Sequence, residues 1–137
     1  MPTDTAIADR IEIADLFARF ALLLDEKRWA DAHTVYTDDV RVHARHGGEI
    51  RGIDKVVEFF RQAEVEGEYT QHVTTDLLVD VDGDRAAASA NSLVYFYRAG
   101  QAPHQTSGLR LACTAVRTPA GWRLSEWRTT PVWTNKS

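Results

Sequence analysis

Few side chains in this sequence are of a type and setting that can do chemistry. The first is Asp25. It follows the apolar run FALLL that begins at Phe20, and it stands where that run should continue. A carboxylate turned toward an apolar face is costly unless it is paired, so Asp25 asks for a partner. The sequence offers five imidazoles, His33, His43, His46, His72 and His104. Each can serve as base, acid or metal ligand near neutral pH. His43 and His46 are three apart in an extended stretch and so face opposite sides. No carboxylate stands near them at the spacing of a two-histidine, one-carboxylate iron site. A metal-free pocket is therefore expected. Cys113 is the single cysteine, which excludes a disulfide framework and a four-cysteine zinc site. Its apolar surroundings read as core. Glu126 and Arg128 share a strand face at spacing two. They read either as a cross-sheet ion pair or as groups at a pocket mouth. No glycine-rich nucleotide fingerprint occurs, so no nicotinamide or flavin cofactor is expected.

The elements that must position these groups are legible from periodicity. Thr3 or Asp4 caps a first helix. Its apolar residues, Ile7, Ile11, Ala14, Phe17, Ala18, Ala21 and Leu24, recur at helical spacing. At about 100° per residue Asp25 shares the bearing of Ile7 and Ala18, beside small residues that leave room for a pocket. A short second helix lies in RWADAHTVYT, with Trp29, Ala32, Val35 and Tyr36 inward. DDVRVHARHGGEIRG reads as a strand, a Gly-Gly turn and a return strand. Asp54 opens a third helix with Val56, Val57, Phe59 and Phe60 available for burial. From Tyr69 the period becomes two, with Val73, Thr75, Leu77, Val79 and Val81 on one face. A turn at Asp82–Asp84 leads into RAAASANSLVYFYR. A loop holding His104 and a final hairpin turned by PAG complete the chain. Three N-terminal helices and four long strands predict an α+β fold: a curved antiparallel sheet whose helices enclose a pocket.

Composition sets the outer bounds. A chain of 137 residues, 44% of them hydrophobic, suits one globular domain over 1–137. The net charge of −4 argues against a nucleic-acid partner, since phosphate binding needs a basic surface. The polar start MPTDTAIADR carries no signal core, and no apolar run reaches membrane-span length. A cytoplasmic protein without membrane association is expected.

The segments LLLDEKRWADAHTVYTDDVRVHA, RGIDKVVEFF and GWRLSEW resemble SnoaL-like proteins of the cone-shaped, nuclear-transport-factor-2-like superfamily. The resemblance runs over nearly the whole chain. It speaks for fold, because the superfamily holds dehydratases, isomerases, cyclases, epoxide hydrolases and inert binding modules. One branch is closer in detail. Scytalone dehydratase and bile-acid 7α-dehydratase carry an aspartate near the end of the first long helix and a histidine at the start of the first long strand. Asp25 matches the aspartate and His72, in YTQHVTTD, matches the histidine. By that resemblance Asp25 and His72 are the catalytic pair. A neutral imidazole removes a proton, while the carboxylate fixes its tautomer and stabilises the imidazolium.

The same comparison marks departures. Scytalone dehydratase has tyrosines where this chain has Leu24 and about Ala44, and the dehydrochlorinases have a lysine where it has Phe20. Donors to a substrate must then come from Tyr36, Asn91, Tyr95, Tyr97 or Arg128. The expected function is cofactor-free lyase, isomerase or cyclase chemistry on a small hydrophobic molecule. A non-catalytic ligand-binding or dimerisation module on the same fold is the alternative. An epoxide hydrolase would need a second well-placed carboxylate. Alternating aromatic and apolar residues on the last strands predict a homodimer.

Overall fold

The computed structural model describes residues 4–44 and 47–137. The first helix, α1, spans Asp4–Asp25, a stretch with no glycine or proline to break it. Its buried stripe is Asp9, Ile13, Leu16, Phe17, Phe20 and Leu23. This corrects the stripe read from the sequence: Ile7 and Ile11 are 46% and 60% exposed. The stripe is rotated because a charged residue, Asp9, belongs to it. Its carboxylate accepts two hydrogen bonds from Arg117, at 2.9 Å each, and one from Trp122 Nε1 at 3.0 Å. Those partners come from the far end of the chain.

After α1 the chain forms a 3₁₀ helix (Trp29–Thr34), β1 (Tyr36–His43), β2 (Glu49–Arg51), α2 (Ile53–Gln62), β3 (Tyr69–Asp82), β4 (Arg85–Tyr97), β5 (Gln105–Thr118) and β6 (Gly121–Lys136). The second of the three expected helices is thus a 3₁₀ segment, and the third follows two short strands. Phe59 of α2 is 43% exposed, while Val56 is buried. Thr3 and His46 lie outside the described residues.

The six strands form one sheet in the order β2-β1-β6-β5-β4-β3. The expectation of a wholly antiparallel sheet needs one correction: β1 and β6 run parallel, with Val42 opposite Trp127. The meander from β3 to β6 crosses the sheet and brings its last strand alongside the first in the same direction. The sheet curves, and its register shifts at Thr75/Leu78, Gly108/Leu109 and Thr114/Ala115 mark bulges of the kind that bend strands. α1 lies on β3 and β6, and the core between them holds Phe17, Phe20, Trp122, Leu124 and Trp127.

The bulge in β3 has a particular effect. Up to Thr74 the even residues Thr70, His72 and Thr74 are the more buried ones; beyond it the odd residues Leu77, Val79 and Val81 are. Val73 is 40% exposed. A strict alternation with Val73 and Thr75 inward therefore does not hold. Asp76, at φ 57°, supplies the extra residue that changes the phase.

Candidate active site

Asp25 is the last residue of α1. It lies about 140° round the helix from Phe20, off the buried stripe and on a flank. That flank meets the start of β3. The carboxylate accepts from Thr70 Oγ1 (2.9 Å, to Oδ1), from the His72 backbone N–H (2.9 Å, to Oδ2) and from His72 Nδ1 (2.5 Å, to Oδ1). All three partners act as donors, which fixes His72 as the Nδ1–H tautomer when the ring is neutral. Nε2 then carries the lone pair and has no hydrogen-bond partner among the described residues. The Phe20 ring meets the imidazole edge-on at 6.2 Å and itself packs on Trp127 at 4.1 Å. The ring is thus held on two sides.

His72 lies on the wall of a cavity of about 240 Å³. The wall is mostly apolar: Leu24, Trp29, Phe60, Val94, Phe96 and Leu109. The side chains of His72 and Asp25 are 11% and 15% exposed, so the pair is sheltered but reachable. The wall also carries Lys27, Glu64, Glu68 and Thr70. Lys27 Nζ is 3.9 Å from Glu64 and 5.6 Å from the Tyr69 ring. Trp29 Nε1 donates to Glu64 at 2.8 Å, and His104 Nε2 is 3.0 Å from Glu68. His104 therefore contacts the loop that follows α2.

The other residues expected to contact a substrate are elsewhere. On β4 the inward positions are Ala86, Ala88, Ala90, Ser92 and Val94, so Asn91, Tyr95 and Tyr97 face the outer side of the sheet. Asn91 donates to Asp76 at 3.0 Å and accepts from Arg110 at 3.1 Å. Tyr97 stacks on Tyr69 at 5.8 Å. Arg128 is exposed, opposite His43 and Ala112 in register. Its neighbour Glu126 accepts from His43 Nε2 at 3.0 Å and pairs with Arg41 at 3.2 Å. The hydrogen bond from His43 holds the Glu126 carboxyl below its ordinary value, with Arg41 adding to it. Glu126 is therefore part of an outer-face ion cluster away from the cavity. Tyr36 is inward but not on the cavity wall; its hydroxyl is buried without a partner among the described residues, and burial pushes its pKa up.

His33 is exposed, with Nδ1 3.1 Å from the Ala30 carbonyl. Cys113 is buried, which pushes its thiol up to about 12. Among the described residues no three His, Cys, Asp or Glu side chains converge as metal ligands would. No helix there is long and apolar enough to cross a membrane.

Sequence reasoning missed Thr70, Lys27, Glu64 and Glu68. For Thr70 a signal was present: in TQH it precedes His72 by two, the spacing that puts both on one strand face. Lys27, Glu64 and Glu68 gave none, because they come from two loops whose approach depends on the fold.

A helix ending in a carboxylate, laid on a curved mixed sheet whose edge strand answers it with an imidazole, defines the class of this fold and site. Residues 5–128 match the SnoaL-like domain family, and the chain belongs to it. An uncharacterized protein of Mycobacterium tuberculosis is 31% identical over 123 residues, covering 86% of this chain and 82% of its own. The crystal structure of the Kfla4162 protein of Kribbella flavida superposes with a TM-score of 0.86 at 27% identity, covering 95% of both chains. A putative scytalone dehydratase of Novosphingobium aromaticivorans shares the fold: TM-score 0.85 at 15% identity, over 99% of this chain and 92% of its own.

Proposed function

We propose that this protein is a cofactor-independent enzyme of the lyase, isomerase or cyclase type, using His72 as a general base assisted by Asp25. The observation that carries this reading is the Asp25–His72 hydrogen bond, with His72 on a cavity wall and its Nε2 without a partner among the described residues. Nε2 takes a proton from a carbon next to a carbonyl or a leaving group. Asp25 stabilises the imidazolium that forms. The imidazolium then returns the proton to the departing oxygen in a dehydration, or to another carbon in an isomerisation.

The ligand is a small hydrophobic molecule. A cavity of roughly 150 Å³ holds benzene, so about 240 Å³ suits a molecule of one or two rings. The two binding partners in this reading are that molecule and a second copy of the chain. The homodimer rests on exposed apolar side chains, among them Leu78 and Trp133.

The test uses 3-hydroxy-1-indanone, which loses water when a base removes its C2 proton. Turnover is expected in the wild type. His72→Ala lowers it on the order of 10²–10⁴-fold with the fold intact. Asp25→Asn lowers it less, and the double variant loses no more than His72→Ala, because the two act as a unit. Tight binding without turnover, unaffected by either substitution, would favour a ligand-binding module.

A further inference from the structure

Asp25 occupies an unfavourable place for an anion. It closes α1, where the helix dipole gives the C-terminal end a partial negative charge, and the last turn of α1 holds no basic residue. The three donors that offset this all come from one short piece of β3. Thr70 gives its hydroxyl and His72 its main-chain N–H and ring Nδ1. The main-chain donor fixes Oδ2. Oδ1 is shared between the ring and the Thr70 hydroxyl, and Thr70 is itself on the cavity wall.

We infer that Thr70 is a positioning residue of the proposed base: its hydroxyl holds Asp25 Oδ1 where His72 Nδ1–H meets it, and so keeps Nε2 unprotonated toward the cavity. This rests on the reading of Asp25 and His72 as a working pair. Without the hydroxyl, Oδ1 has only the ring Nδ1–H as donor. The carboxylate then pivots about Oδ2, which the His72 main-chain N–H still holds, and the ring loses the contact that selects its tautomer. The Thr70 hydroxyl donates to Asp25, and it acts through that carboxylate.

The experiment compares Thr70→Val, which keeps the β-branched shape, with Thr70→Ser, which keeps the hydroxyl. The readout is ¹⁵N NMR of the His72 ring, above the pH at which it protonates. Asp25→Asn serves as the reference for a broken pair, and the backbone amide spectrum checks the fold. The wild type is expected to show one tautomer, with the proton on Nδ1. Thr70→Val shows a mixture with Nε2–H, and Thr70→Ser restores the wild-type signature. With 3-hydroxy-1-indanone as substrate, Thr70→Val lowers kcat about 3- to 10-fold at unchanged KM, and serine rescues it. A wild-type tautomer in Thr70→Val, with Asp25→Asn altered, would overturn the role of Thr70 and leave the pair standing. A wild-type tautomer in Asp25→Asn as well would overturn the pair and this inference with it.

Discussion

Asp76 decides which way His72 points. The two residues share β3, and the left-handed backbone at Asp76 (φ 57°) shifts the strand's phase between them. Without it, a strand that buries Leu77, Val79 and Val81 would turn His72 to the outer face. The Asp76 carboxylate is held by Thr75 Oγ1 and Asn91 Nδ2, each at 3.0 Å. Asn91 thus serves the site from the opposite side of the sheet, by securing the bulge.

Asp76→Val should destabilise the protein by about 1–3 kcal/mol, because a β-branched residue is strained at positive φ. Asp76→Gly should be far better tolerated, since glycine adopts that conformation freely. Urea denaturation measures both. A valine variant as stable as the wild type would show that the bulge is not maintained by this residue.

Ser92→Ala should leave stability unchanged or raise it by up to about 1 kcal/mol. The Ser92 hydroxyl is buried and has no partner among the described residues. Removing it relieves an unsatisfied group at little cost in volume. A clear loss of stability in thermal unfolding would mean that the hydroxyl is satisfied after all.

Acid stability should depend on Asp9. Hydrogen bonds from Arg117 and then Trp122 hold its carboxyl below the ordinary value, against the opposing effect of burial. Its contribution is therefore complete above the unfolded-state value of about 3.9. It is lost as pH falls through the lower folded-state value. Asp9→Asn should be less stable than the wild type at pH 7, and the gap should narrow below about pH 4. A gap independent of pH in denaturation curves would contradict this.

Sedimentation at micromolar concentration should give a dimer. Val132 and Trp133 on β6 are 52% and 47% exposed and Leu78 on β3 is 70% exposed, apolar side chains that a second copy of the chain would cover. A monomer would remove this expectation.

Asp25 and His72 were legible because a carboxylate out of pattern and a strand histidine fit a known arrangement. The route by which they meet was not. The stripe of α1 was misread because Asp9 counts as polar until Arg117 and Trp122, more than 100 residues away, are seen to satisfy it. The faces of β4 were misread for a different reason. Asn91, Tyr95 and Tyr97 were expected to reach a substrate, yet the inward positions hold Ala86, Ala88 and Ala90, and Asn91, Tyr95 and Tyr97 turn outward. The phase change at Asp76 needs a positive φ at a non-glycine residue, which alternation cannot reveal. The first helix and the four long strands were readable because helical and strand periods differ, whereas the second expected helix is a 3₁₀ segment and the third follows two short strands. The parallel β1–β6 pairing was not, since it is set only when the meander returns β6 beside β1.

The central claim is that His72 removes a proton from carbon in a bound molecule. The most direct measurement is deuterium uptake at C2 of 1-indanone in D₂O, followed by proton NMR, because it needs no knowledge of the natural substrate. The account predicts exchange well above the buffer rate in the wild type and a loss on the order of 10²–10⁴-fold in His72→Ala, with Asp25→Asn between the two. Exchange in folded His72→Ala as fast as in the wild type would contradict it.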